Sequence, residues 1–167
     1  AGGSFPMRAN PAAFETDLRD NVATIVQLGV APDSIRFFLP PYEHHNAEIA
    51  AWTRDAGLTL VNLTPGTRSA ADYTAEDDPG FVSSGAICES ILQRERADPA
   101  GLNGWILLFH LGAGPRRTDK LAPRLGSLLD ALAARGYEFV RVDELLLPEP
   151  ASQVPILRLN QLGYRPA

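Results

Sequence analysis

The sequence predicts an α/β domain, a partial (β/α) barrel of parallel strands joined by right-handed helical crossovers. Two observations carry that expectation. Short apolar runs at 35–39, 58–63, 105–111 and 137–142 are separated by stretches in which apolar residues recur every three or four positions, and this alternation implies βαβ units. The 167 residues, 45% hydrophobic and 21% charged, suit one globular domain with a real core.

The elements follow in order. Phe14, Leu18, Val22, Ile25 and Val26 predict a helix over 12–28, opened by Asn10 and Pro11 as cap and first-turn proline and stopped by Gly29. The run at 35–39 is too brief for a helix and is closed by Pro40 and Pro41, so it reads as a buried strand. Ile49 and Trp52 mark a helix over 46–56 ended by Gly57, and 58–63 is a second strand. A stretch rich in Thr, Asp, Gly and Ser at 64–84 exceeds an ordinary connection and reads as a functional or mobile loop. Ile87, Ile91 and Leu92 then predict a helix over 85–97, followed by a strand at 105–111. Leu121, Leu125, Leu128, Leu129 and Leu132 predict a helix over 121–135 before the last strand at 137–142. Residues 1–147 therefore read as one domain, and 148–167, punctuated by Pro148, Pro150 and Pro155, as a linker and the first strand of a following module.

Composition excludes several functions. Fifteen Lys and Arg against twenty Asp and Glu give a net charge of -5, which repels phosphate backbones, so no nucleic acid is expected. Arg116, Arg117, Lys120 and Arg124 read as a solvated, partly paired helix start. A single cysteine, Cys88, excludes an intrachain disulfide and reads as a small buried hydrophobe. The longest apolar run, 105–111, falls far short of the ~18 residues a membrane helix needs, so no membrane span is expected.

Working residues of parallel α/β folds sit at the C-terminal ends of strands. His110, inside the run Ile106, Leu107, Leu108, Phe109, is costly to bury unless something bonds to it. It reads either as a general acid or base or as a satisfied rim histidine. Tyr42 follows two prolines that constrain its backbone. Asp72 lies on the long loop, as one of a possible carboxylate pair with Glu43 or as a partner for His44 or His45 in a weak ion site. Tyr73 and Phe81, on the same loop, are placed to stack on a sugar ring, whereas Trp52 and Trp105 belong to periodic apolar segments and read as core.

At Phe38, Leu39, Pro40, Pro41, Tyr42 and again at Leu108, Phe109, His110 the chain resembles the polysaccharide deacetylase family, the NodB-type carbohydrate esterases. The resemblance runs over 14–147 and covers the rear half of the family domain. It implies a distorted (β/α) barrel that removes acetyl groups from amino sugars or xylan with a divalent metal, usually zinc. It also implies that His110 is the general acid and that Tyr42 helps hold the oxyanion. Leu39 stands where the family has an arginine, and Arg36 falls on the other strand face. The family's metal-holding aspartate and histidines have no counterpart in this sequence, so no metal ligand is assigned and no tight metal binding by this chain alone is expected.

Residues 157–166, Leu-Arg-Leu-Asn-Gln-Leu-Gly-Tyr-Arg-Pro, resemble the opening strand of the immunoglobulin-like module of family-nine glycoside hydrolases. That implies an adjacent glycoside hydrolase domain in a longer chain. The resemblances together imply a glycan substrate and a periplasmic or extracellular setting, and the alternative to an enzyme is a non-catalytic carbohydrate-binding or structural module. Four strands do not close a barrel, so a homodimer through an open sheet edge is a further expectation.

Overall fold

The computed structural model describes residues 10–146, which fall into two compact units, 10–62 and 63–146. Helix accounts for 48% of the described residues and strand for 3%. The protein is therefore largely α-helical with one small open sheet, and the expected partial (β/α) barrel is not formed. The proline-punctuated segment and tail strand expected at 148–167 lie outside the described residues.

In the first unit, α1 (Pro11–Gln27) starts where the side chain of Asn10 accepts the Ala13 N–H at 2.8 Å. Capping by Asn satisfies one of the helix's bare donors, and Pro11 costs nothing at a position whose N–H has no partner. Leu18 and Val22 are its buried residues and pack with Leu58, Phe14, Val26, Ile35 and Phe38. Each aliphatic side chain so buried contributes about 1.5–3 kcal/mol. The Phe14 ring meets Phe38 edge-on at 5.6 Å and the half-buried Trp52 at 5.7 Å.

The sheet consists of β1 (Phe37–Phe38) and β2 (Thr59–Leu60), parallel, with Phe37 opposite Thr59 and Phe38 opposite Leu60. Between them runs α2 (Ala47–Asp55), capped by Asn46, whose side chain accepts the Ile49 N–H at 2.9 Å. Both strands are far shorter than the apolar runs that predicted them. Pro40 and Pro41 end the first by removing two ladder donors, and the ladder extends only to the Thr59 and Val61 N–H groups, bonded to Arg36 and Phe38 carbonyls.

In the second unit, α3 (Ser84–Ala97) and α4 (Ala122–Ala133) bury Ile87, Ile91, Leu128 and Leu132 in one cluster with Val82, Leu102 and Leu121. Trp105, Leu107, Phe109 and Tyr137 pack against it half-buried. Gly101 is required between α3 and this cluster. Its φ is +61, and a Cβ there would collide with the Tyr137 hydroxyl, which accepts the Leu102 N–H at 2.8 Å.

The two remaining expected strands do not form, for local reasons. Segment 105–111 exchanges one rung with Thr64, whose N–H donates to the Ile106 carbonyl at 2.8 Å and whose hydroxyl accepts the Ile106 N–H at 3.0 Å. Pro65 and Gly66, at φ +122, then turn the chain away from any second rung. Segment 137–142 gives way to α5 (Val142–Leu146): the Glu144 carboxylate accepts the Arg141 N–H at 3.2 Å, half of a capping box, and Phe139 and Val140 are left exposed.

Candidate functional site

The long polar loop after Asn62 is fixed to the second unit at several points. Its anchor is Arg117, whose side chain is 0% exposed. Nε donates to the Asp119 carbonyl at 2.8 Å, Nη1 to the Thr74 carbonyl at 2.7 Å, and Nη2 to the Val82 carbonyl and Ser84 Oγ, both at 3.0 Å. The guanidinium also lies over the Phe81 ring, 5.1 Å from its centre. A planar group with five donors suits this cross-bracing, which a lysine could not reproduce. The expected solvated helix start is thus corrected at Arg117. Its neighbour Arg116 is exposed and bonds Asp77 and Asp78 at 2.6 Å each.

Glu76 forms the second clasp. Its carboxylate accepts the Asp119 N–H at 2.8 Å, the Thr118 hydroxyl at 2.7 Å and the Thr118 N–H at 3.0 Å. The Asp119 N–H first, then the Thr118 hydroxyl, lower its pKa from 4.5 to about 2. Asp78 is held below the usual carboxylate range mainly by the Ala75 N–H, then by Arg116.

On this braced loop a short 3-10 turn, Ser69–Ala71, delivers Asp72. Asp72 is 1% exposed and commits both carboxylate oxygens to His110. Oδ2 accepts the His110 backbone N–H at 2.8 Å, and Oδ1 meets Nδ1 at 2.7 Å. An ionised carboxylate only accepts, so Nδ1 must be the donor, and in the neutral ring that tautomer puts the lone pair on Nε2. The imidazole is 35% exposed, and with Nδ1 occupied its remaining nitrogen is the one free to work. Tyr73 flanks it with ring centres 5.0 Å apart and is 59% exposed, while Leu111 beside it is 98% exposed.

The structure thus brings together Asp72, Tyr73 and His110 of the expected site residues. Asp72, weighed as one of a carboxylate pair or as a metal partner, is instead a histidine partner. Phe81 lies beneath Arg117. Tyr42 belongs to the first unit, where it and Glu43 adopt positive φ of 55 and 57, a conformation that costs a non-glycine residue roughly 1–2 kcal/mol. Asn62 holds this turn by donating Nδ2–H to the Glu43 carbonyl at 2.9 Å, and Tyr42 is 83% exposed. Nothing in the sequence marked Arg117 or Glu76, since adjacent arginines and a loop glutamate carry no periodic signal.

Among the described residues no group of three or more His, Cys, Asp or Glu side chains converges as a metal ion requires. The zinc implied by the resemblance therefore does not fit the described donor set: His110 has one ring nitrogen left and Asp72 spends both oxygens on His110, so the further ligands a zinc ion needs are not gathered around it. With neither the barrel nor the metal cluster, the metal-dependent deacetylase reading and its NodB homology are overturned. Among the described residues no helix is long and apolar enough to cross a membrane. No protein-family model, no curated protein and no solved structure matches this chain.

Proposed function

We propose that the second unit carries a proton-transfer site in which His110 is the acid–base group, Asp72 its positioning residue, and Tyr73 the surface against which a ligand ring rests. The observation that carries this reading is the double hold of buried Asp72 on His110 at 2.8 and 2.7 Å. It fixes the ring's orientation and its tautomer together. As a base, Nε2 takes a proton from a ligand hydroxyl, and the imidazolium so formed is stabilised by the Asp72 carboxylate. As an acid, it returns that proton to a departing oxygen or nitrogen. Positioned acid–base groups of this kind contribute about 10²–10⁴-fold to a rate.

The ligand class is a polyhydroxylated ring such as a sugar, because an exposed tyrosine face beside a proton donor and acceptor suits a ring with one apolar face and hydroxyls at its rim. A glycan ligand would place the protein in the periplasm or outside the cell. The divalent metal has no part in the proposal.

The test is site-resolved carbethoxylation by diethylpyrocarbonate, read by mass spectrometry. His110 should react faster than His44 and His45, and the Asp72→Asn variant should slow that reaction. Equal rates at His110 with and without the Asp72 carboxylate would sink the acid–base reading. Titration with neutral saccharides should move the amide resonances of Tyr73, His110 and Leu111, and a Tyr73→Ala variant that binds unchanged would remove the ligand class.

A further inference from the structure

A second binding feature lies on the outer side of α3, away from the proton-transfer reading and independent of it. Ser90, Gln93, Arg94 and Ala97, spaced three, four and seven positions along the helix, share one face. With residues 66–68 of the loop they line a groove of about 430 Å³.

Two of the lining residues, Gly66 and Arg94, pack on one ring. The Arg94 guanidinium lies 5.1 Å from the centre of the Trp105 ring. Gly66 packs on the same ring: a Cβ there would sit 3.0 Å from Trp105 Cη2 and 3.8 Å from Arg94 Cζ, at a φ of +122 that L side chains rarely adopt. Glycine is thus what lets the loop approach indole and guanidinium so closely. Arg94 is further fixed by Nη2 donating to Asp98 Oδ2 at 2.8 Å, and its Nε, closed off from solvent, is the buried side-chain nitrogen with no acceptor among the described residues. The result is a guanidinium oriented in advance by the indole and by Asp98.

Arg68 supplies the second cation. Its backbone N–H is tied to Ser90 Oγ at 3.1 Å, which fixes where its side chain leaves the loop. That side chain is exposed and makes no ion pair among the described residues. The groove lining itself contains two arginines and no carboxylate, and Asp98, the acid paired with Arg94, also accepts the Ala100 N–H at 2.9 Å. In a chain of net charge -5, a local pair of guanidinium groups stands against the overall field. That selects a small oxyanion over a polyanion such as nucleic acid.

We infer that the groove between residues 66–68 and the Ser90–Arg94 face of α3 binds the carboxylate or phosphate group of a small molecule, held by Arg68 and Arg94. Planar, forked donors match such groups.

The experiment is an NMR titration of the ¹⁵N-labelled chain with inorganic phosphate and, separately, acetate, at ionic strength held constant with sodium chloride. Saturable shifts confined to the amides of 66–68 and 90–97 are expected, weakened about tenfold in Arg68→Ala, the scale of one lost charged hydrogen bond. Arg68→Ala removes an exposed side chain and keeps the backbone bond to Ser90, so its spectrum should otherwise overlay the parent's. Tighter binding of phosphate assigns a phosphorylated ligand, and tighter binding of acetate a carboxylate. Shifts that do not saturate, that spread over all basic residues, or that persist unchanged in Arg68→Ala overturn the inference.

Discussion

Replacing Arg117 by methionine keeps most of the buried stem and removes the charged fork. The Thr74 and Val82 carbonyls, bonded at 2.7 and 3.0 Å, then lose a charged donor, and leaving two such acceptors bare costs about 2–6 kcal/mol in all. The independent precedent for deleting one member of a buried charged network is about 3–5 kcal/mol. Both figures are a large share of the roughly 5–15 kcal/mol that holds an ordinary domain together. Urea unfolding followed by Trp105 fluorescence reports on the second unit, which contains that tryptophan. With a slope of about 1–3 kcal/mol/M, the Arg117→Met midpoint should fall by at least about 0.7 M. Arg116→Met, which removes only exposed pairs, should leave the midpoint nearly where it was. A shift for Arg117→Met no larger than that of Arg116→Met would refute the claim that this residue braces the loop.

Three other outcomes follow from the same geometry. Gly101→Ala forces a side chain into a left-handed conformation against Tyr137 and should destabilise by about 2–3 kcal/mol, the sum of the backbone cost and one lost hydrogen bond; thermal melts beside Tyr137→Phe, at about 1 kcal/mol, separate the two parts. Glu76 is depressed from 4.5 to about 2, so its contribution is fully present above about pH 4.5 and is lost as pH falls through about 2; Glu76→Gln should flatten the stability profile across that window, and an unchanged profile would count against the clasp. Burial, the main cause, raises the Cys88 thiol, so alkylation by iodoacetamide at neutral pH should be slower than for free cysteine.

Helix limits were legible because their signals are local. Asn10 with Pro11 stands at the start of a helix, and Gly29 and Gly57 lie just past an end; the caps Asn46 and Ser83 went unread. Strands were not legible in the same way, because a strand exists only where a second backbone meets it. The run 105–111 is as apolar as any barrel strand, yet Pro65 and Gly66 divert its neighbour after one rung. Val142, Asp143 and Glu144 carried a helix start that the apolar residues before them concealed. The candidate site was half visible. His110 stood out as a polar residue in an apolar run, but its partner lies 38 positions away, a distance over which spacing says nothing. Arg117, in a cluster of basic residues, gave no sign that it alone is buried.

If Asp72 holds the His110 ring as the geometry indicates, the neutral ring carries its proton on Nδ1 and its lone pair on Nε2. Long-range ¹H–¹⁵N correlation of the imidazole, at a pH where the ring is neutral, reads that directly. A protonated Nδ1 and a bare Nε2 are expected in the parent protein, with loss of that preference in Asp72→Ala. A proton found on Nε2 in the parent would mean that the carboxylate does not hold the ring, and the proton-transfer reading would fall with it.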